Sequence, residues 1–134
     1  MATKIFLYDT TVFIDYFRGK QNSQKWIDPI IKGNHKAAIC LIIDVELWAG
    51  AKNAEDKIKY QTLLSRFQRL NINITIARRA GELLRPLFLA KDKSVSPQDA
   101  IIAATAEYYR TGILSQNSKH FDKLLLKNVT IQTY

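Results

Sequence analysis

The chain has 134 residues, of which 47% are hydrophobic and 24% are charged, so it can form one domain with a substantial core. It has no apolar run of the roughly 20 residues that a membrane-spanning helix requires, and its single cysteine, Cys40, excludes an internal disulfide. These features predict a single cytoplasmic domain over residues 1–134. Twenty Lys and Arg against 12 Asp and Glu give a net charge of +8, which favours a polyanionic partner such as nucleic acid.

The stretch KIFLYDTTVFIDYF at residues 4–17 predicts a strand followed directly by a helix. After Lys4, the apolar and aromatic residues form a continuous run to residue 8 and then adopt helical spacing. Asp9 lies at the junction. Ligands of open α/β sheets bind just outside the carboxyl ends of the strands, so Asp9 is a candidate functional residue. The alternative is that Asp9 only caps the helix, since Asp is a preferred N-cap residue.

The middle of the chain alternates between helical and strand patterns. Helical spacing covers residues 23–32, 43–52, 57–70 and 77–91, and strand patterns cover residues 37–41 and 72–76. We expect Pro86 to kink the last of these helices or to split it in two, because proline lacks a backbone N–H and clashes with the preceding turn.

The C-terminal third begins with a strong helix start, Ser96 as N-cap and Pro97 in the first turn. This helix is predicted to end near Tyr109. A short strand at residues 113–114, a helical turn at 118–124 and an edge strand at 129–133 follow. Strands that alternate with helices predict an α/β fold with a mostly parallel central sheet.

Glu46 is the second candidate acid. If residues 43–52 form a helix, its neighbours three and four positions away are apolar; they are Ile42, Ile43, Ala49 and Gly50. This pattern predicts that Glu46 faces the core, where an unpaired carboxylate would be costly or would have a raised pKa. The alternative is a buried Glu paired with an arginine.

Asp99 is the third candidate acid. It stands three residues after Ser96, which is the spacing of a capping box, and a purely structural cap is therefore the alternative. Ile102 and Ala103, one turn further on, are apolar and indicate that Asp99 also faces inward.

The three acids are each predicted to lie near a helix start, and in a parallel sheet such starts share one edge. Carboxylates gathered there repel one another unless a cation joins them, and oxygen ligands suit Mg²⁺ or Mn²⁺. His35 and His120 are isolated in the sequence, so no zinc cluster is indicated. An acidic metal site in a basic chain points to phosphodiester chemistry.

The ordered set of motifs YDTTVFIDYF, IIDVELWAGA, SPQDAIIAATA and LSQNSKHF spans nearly the whole chain. On these motifs the sequence resembles the PIN-domain family, and within it the VapC-like toxins of type II toxin–antitoxin pairs. The resemblance implies a three-layer α/β/α fold. It aligns Asp9, Glu46 and Asp99 with the family's acids and Asn117 with its fourth polar position, and Ser115 stands where the family has Ser or Thr.

The resemblance also implies a function and partners. The activity would be that of an Mg²⁺- or Mn²⁺-dependent endoribonuclease in which a metal-activated water hydrolyses RNA and leaves a 5′-phosphate. Asp9, Glu46 and Asp99 would be the metal ligands, and Asn117 would assist catalysis. A cognate antitoxin would neutralise the toxin, and the chain would form a homodimer or a larger toxin–antitoxin assembly without a membrane partner. The family often has Asp where this chain has Asn117, which puts the number of metal ions in question, and commonly Asn or Ser where it has Thr11.

Other functions fit the sequence less well. A non-catalytic nucleic-acid- or partner-binding domain with a relict acidic site would not need three inward-facing acids. A haloacid-dehalogenase-type phosphatase requires a second Asp at the position of Thr11, and a receiver domain requires an acidic pair where Tyr8 precedes Asp9. Basic residues expected to hold RNA are Lys52, Arg78, Arg79, Lys119 and Lys123.

Overall fold

The computed structural model describes residues 4–134, which form a five-stranded parallel sheet with the strand order β3-β2-β1-β4-β5. The strands are β1 (Phe6–Tyr8), β2 (Ala38–Cys40), β3 (Gln68–Leu70), β4 (Gly112–Leu114) and β5 (Ile131–Gln132). The central strand β1 pairs with β2 through Leu7 and Ala38, and with β4 through Leu7 and Ile113.

Helices connect all of these strands. They are α1 (Thr10–Phe17), α2 (Gln21–Ile31), α3 (Leu41–Gly50), α4 (Ala54–Leu64), α5 (Ile74–Leu89), α6 (Pro97–Tyr109) and α7 (Ser118–Asp122). Because crossovers between parallel strands are right-handed, helices α1 to α4 belong to one face of the sheet and α5 to α7 to the other. The predicted α/β/α layering is confirmed. Within residues 4–134, no helix is long and apolar enough to cross a membrane.

The core lies along the three inner strands, where Leu7, Ile39 and Ile113 are fully buried. Strands covered on both faces read as continuous apolar runs, which is why the sequence predicts β1, β2 and β4 correctly. Cys40 is a buried free thiol, and burial raises its pKa to about 11.

The predicted strand at residues 72–76 is wrong, and so is the C-terminal part of the helix predicted at 57–70. Helix α4 ends at Leu64, and Gln68–Leu70 pairs with β2 as the third strand. The alternating isoleucines belong instead to a helix start, because the side chain of Asn73 accepts a 2.9 Å hydrogen bond from the Ile76 amide and caps α5.

The predicted break at Pro86 is wrong in one respect: α5 continues through this residue to Leu89 and is not split in two. The predicted start of α6 is confirmed, since Ser96 Oγ accepts a 3.1 Å hydrogen bond from the Asp99 amide and Pro97 is the first helical residue.

Strand order reverses at the centre of the sheet. From β1 the chain adds β2 and β3 on one side and then returns to place β4 on the other side of β1. Such a switch point leaves a crevice at the carboxyl ends of the two diverging strands, where open α/β proteins bind their ligands. Asp9 follows β1 and Ser115 follows β4, so both residues lie at this switch point.

Candidate active site

Asp9 is held at the end of β1 by both its backbone and its side chain. Its amide donates a 2.9 Å hydrogen bond to the carbonyl of Leu114 on the neighbouring strand. Its Oδ1 accepts from the Thr10 amide at 2.8 Å and so caps α1. The capping role considered from the sequence is therefore real, but it uses one of the two carboxylate oxygens.

The second oxygen of Asp9 connects it to β4. Ser115 Oγ donates to Asp9 Oδ2 at 2.6 Å and accepts from the amide of Asn117 at 2.9 Å. Ser115 is fully buried and Asp9 is 4% exposed. One buried hydroxyl thus orients the carboxylate and the turn that begins α7.

The electrostatics of Asp9 reflect its burial and its acidic neighbours. The pKa of its carboxyl is raised to about 6. Desolvation by burial is the largest cause, the charges of Asp99 and Glu46 also raise the pKa, and the hydrogen bonds from Ser115 and Thr10 lower it. A carboxylate whose ionised form is disfavoured by burial and by neighbouring negative charges is stabilised by an added cation. Asp9, Asp99 and Glu46 therefore share one electrostatic environment.

Glu46 reaches this environment from α3, although the prediction that it is buried in the core is wrong. Its Oε1 accepts a 2.9 Å hydrogen bond from Thr10 Oγ1, one residue from Asp9. The side chain is partly exposed, and so are the residues at the end of the helix, since Ala49 and Gly50 are exposed. The apolar neighbours at the C-terminal end of α3 therefore do not mark a core face.

Asp99 is oriented by a histidine on α7. Its side chain is 16% exposed, and its Oδ2 lies 3.2 Å from Nδ1 of His120 on α7. Asp99 faces inward, as predicted, and the isolation of His120 is corrected. His35 is exposed. The contact joins the first turn of α6 to α7, the helix that follows Ser115.

Asn117 stands at the N-cap position of α7, but its side chain makes no capping hydrogen bond. It is exposed, its amide is held by Ser115, and its carbonyl accepts from the His120 amide at 3.0 Å. Its side-chain amide, which does not cap α7, is therefore available to a ligand at this edge of the sheet.

The donor set suits a hard divalent cation, because all three acids present oxygen atoms and their charges act on one another. Within the described part of the chain, however, no three His, Cys, Asp or Glu side chains are close enough together to enclose a metal ion by themselves. The fit is that of an ion which keeps several waters, as Mg²⁺ commonly does.

Two of the five basic residues predicted to hold RNA are engaged elsewhere. Arg79 pairs with Glu107 at 2.7 Å, and Lys123 pairs with Asp92 at 3.2 Å. Lys52, Arg78 and Lys119 are exposed. Among residues 4–134, these three have no carboxylate within 4.0 Å.

Two further residues of the site, Thr10 and His120, are not predicted from the sequence. Thr10 positions Glu46, and His120 contacts Asp99. No local signal pairs His120 with Asp99, which is 21 residues away. No local signal pairs Thr10 with Glu46, which is 36 residues away.

Comparison of the sequence with known proteins identifies one family and two similar ribonucleases. A family model described as "PIN domain" matches residues 6–124. Ribonuclease VapC10 of Mycobacterium tuberculosis is 30% identical over 115 residues, which cover 86% of this chain and 84% of that protein. Ribonuclease VapC19 of the same organism is 27% identical over 115 residues, covering 86% and 90%.

Solved structures of toxin–antitoxin complexes also contain chains that are similar to this one. A toxin–antitoxin complex from Klebsiella pneumoniae contains a chain that superposes with a TM-score of 0.71 at 30% identity, over 87% of this chain and 89% of that one. VapBC2 from Rickettsia felis, bound to a DNA fragment from its promoter, gives a TM-score of 0.79 at 21% identity, with coverages of 97% and 98%. At 21% identity, the match to VapBC2 supports only a similarity of fold.

Proposed function

Because the chain belongs to the PIN-domain family and is a homologue of the VapC ribonuclease toxins, we propose that it is a metal-dependent endoribonuclease and the toxin of a toxin–antitoxin pair. The observation that carries this proposal is the position of Asp9 at the switch point of the sheet, where Thr10 bonds to both Asp9 and Glu46 and the charges of Glu46 and Asp99 raise the pKa of Asp9. A group of acids of this kind can bind a divalent cation for phosphodiester hydrolysis, and the cation compensates the negative charge of the carboxylates.

We assign the metal to Asp9, Glu46 and Asp99, with Mg²⁺ or Mn²⁺ as the ion. When bound, the ion would neutralise charge on the phosphate and lower the pKa of water. Asp9 is suited to a fixed ligand position, because both of its oxygens are already oriented by hydrogen bonds from Thr10 and Ser115. Each carboxylate oxygen has a second lone pair for a cation.

Glu46 and Asn117 are assigned to the reacting water and the phosphate. Glu46 Oε1 accepts from Thr10, which fixes the side chain and leaves Oε2 to orient a water for in-line attack on phosphorus. The bond to the 3′-oxygen breaks, and the products are a 3′-hydroxyl and a 5′-phosphate. Asn117 offers an exposed amide at the same edge, which can bind the phosphate or a water without adding charge.

The substrate class follows from charge. A net charge of +8 on a chain with an acidic catalytic edge attracts a polyanion to the surrounding surface. Lys52, Arg78 and Lys119 are exposed and available for phosphate contacts. Because RNA is the proposed substrate, we expect the protein to act in the cytoplasm.

We assign the antitoxin to an exposed apolar face on two contacting helices, α1 and α3. Its residues are Ile14, Phe17, Val45 and Trp48, with exposed fractions between 37% and 59%. Contiguous patches of exposed large apolar side chains mark protein interaction sites. The related chain in the Klebsiella pneumoniae structure is part of a toxin–antitoxin complex, which agrees with a protein partner here, and a homodimer is the assembly that we expect.

Expression in a bacterial host tests the toxin assignment. Production of the protein alone should arrest growth, Glu46→Gln should relieve the arrest, and co-expression of an antitoxin encoded beside the gene should relieve it as well. Glu55→Gln is a matched control, since Glu55 is an exposed acid on α4, and it should remain toxic. Normal growth with abundant folded wild-type protein would favour a non-catalytic binding domain instead.

A further inference from the structure

A cavity of about 500 Å³ opens along α1, beside the acidic site. We call it the α1 pocket. Most of its lining is polar, and it includes one acid and two cations; the lining residues are Thr11, Ile14, Asp15, Arg18, Lys20, Asn22, Gln116 and Tyr134. A volume of this size falls in the range of small-molecule and cofactor sites, about 300–1,000 Å³.

The pocket adjoins the candidate active site through its inner wall. Thr11 follows Asp9 by two residues, and Gln116 directly follows Ser115. The Gln116 amide lies 3.4 Å from Thr11 Oγ1. The pocket wall therefore lies two residues along the chain from Asp9 and one residue from Ser115, the two partners of the hydrogen bond that joins β1 to β4.

The charge of the pocket is opposite to that of the acidic site. Asp15, on its wall, is 8% exposed, and its carboxylate is balanced by Lys20 Nζ at 3.3 Å and by a 2.8 Å hydrogen bond from the Tyr134 hydroxyl. Arg18 is exposed and, within the described part of the chain, has no carboxylate within 4.0 Å. The pocket therefore presents a free guanidinium at the C-terminal end of α1, the helix that Asp9 caps at its other end.

This arrangement matches the needs of an RNA strand that crosses the site. The acids repel phosphate, so the strand requires positive charge close to the point of cleavage. A guanidinium binds phosphate oxygens in a bidentate manner and is better suited to this than a lysine. Asn22 and Gln116 offer amide groups, and Gln116 Nε2 is bonded to the Tyr134 carbonyl at 2.6 Å, which leaves its Oε1 to accept from a base.

We propose that the α1 pocket holds the RNA nucleotide next to the scissile phosphate, with Arg18 on its phosphate and the side-chain amides of Asn22 and Gln116 on its base. The inference rests on the proposed ribonuclease function. It makes Arg18 a substrate-positioning residue and makes Asn22 a determinant of which base is accepted.

Binding of a fluorescein-labelled single-stranded RNA to the Asp9→Asn protein, which leaves the RNA intact, tests the role of Arg18. In this background Arg18→Ala should weaken binding about tenfold, the loss of one charge-assisted contact. The slope of log K against log salt concentration should fall in magnitude by about 0.7, the contribution of one phosphate contact to a single strand. Arg18→Lys should restore most of this slope.

Arg66→Ala is the matched control. Arg66 is exposed, without a carboxylate within 4.0 Å among residues 4–134, and lies before β3, at the opposite end of the sheet. It should leave affinity and slope within twofold of the parent. Equal salt slopes for the parent and for Arg18→Ala would overturn the assignment of Arg18 while leaving the ribonuclease proposal intact. Failure of the parent to bind RNA at all, together with no cleavage by the wild type, would overturn both.

The base contact has a separate readout. On a mixed-sequence RNA cut by the otherwise wild-type enzyme, Asn22→Ala should change the distribution of cut sites, whereas Arg18→Ala should slow cleavage at all sites alike. An unchanged cut-site distribution for Asn22→Ala would remove the base contact from the proposal.

Discussion

Ser115 Oγ donates a 2.6 Å hydrogen bond to Asp9 Oδ2, and this contact joins the ends of the two central strands, β4 and β1. The same oxygen accepts from the Asn117 amide. Because Ser115 is completely buried, water cannot replace either bond. The position of the candidate metal ligand and the start of α7 thus depend on a single hydroxyl group.

Ser115→Ala should lower the free energy of unfolding by about 1–3 kcal/mol, because it leaves a buried carboxylate oxygen and a backbone amide without a partner. Ser65→Ala, which removes an exposed hydroxyl bonded to the Thr62 carbonyl, should lower it by less than about 0.5 kcal/mol. Urea unfolding monitored by circular dichroism measures both. Equal losses would mean that the buried link between the strands adds nothing to stability.

The pH dependence of stability should reveal the raised pKa of Asp9, which is about 6 in the metal-free fold and about 3.9 in an unfolded chain. The folded state therefore binds the proton more tightly. Its contribution is fully present below about pH 4 and is lost as pH rises through about 6. The loss amounts to about 2–3 kcal/mol, since one pKa unit corresponds to about 1.4 kcal/mol.

Asp9→Asn isolates this effect, because both proteins share every other titrating group and Asn remains a good N-cap residue. Between pH 4 and pH 7 the wild type should lose about 2–3 kcal/mol relative to the mutant when EDTA is present. At pH 7, Mg²⁺ at about 100 times its Kd should return roughly 2.7 kcal/mol to the wild type. Parallel pH profiles of the two proteins would contradict the raised pKa.

Thr10→Val should reduce RNA cleavage by roughly tenfold, because Glu46 loses the hydroxyl that orients it while the shape of the side chain is kept. Thr62→Val is the comparison, since Thr62 is exposed and donates to the Ile58 carbonyl on α4. Initial cleavage rates at saturating Mg²⁺ measure the effect. A rate for Thr10→Val equal to that of the comparison protein would show that Glu46 needs no positioning from Thr10.

Asn117→Asp should tighten Mn²⁺ binding to the free protein, because it adds a negative charge where the side chain makes no capping hydrogen bond. Asn117→Ala should lower activity less than Asp9→Asn does, since it removes a dipole rather than a charged ligand. Calorimetric Mn²⁺ titration of the wild type and Asn117→Asp measures the first effect. Identical isotherms would exclude Asn117 from the site.

Much of this fold is predictable from sequence because local signals and burial coincide. Strand β1 is a short apolar run, and Ser96 with Pro97 starts α6 as expected. Strand β3 is not predictable in this way. Gln68 and Arg69 are exposed, and the strand is defined by long-range pairing, such as the 3.0 Å hydrogen bond from the Gln68 amide to the Ala37 carbonyl.

The candidate site is likewise only partly predictable from the sequence. Asp9 and Asp99 are predictable, since each begins a helix next to an apolar segment. Their partners are not, because the contact of Asp99 with His120 spans 21 residues and depends on how α7 packs against α6. The apolar helical neighbours of Glu46 predict a core position, whereas Glu46 is connected to the site by the hydroxyl of Thr10.

Cleavage of a single-stranded RNA by purified protein, with Mg²⁺ or with EDTA, tests the central proposal most directly. The wild type should cut with Mg²⁺ and stop in EDTA, and Asp9→Asn should cut at least about 100-fold more slowly. Asp28→Asn, a change of an exposed acid on α2, should cut at the wild-type rate. Undiminished cutting in EDTA, or equal rates for wild type and Asp9→Asn, would contradict the proposal that the acids around Asp9 form a metal-dependent ribonuclease site.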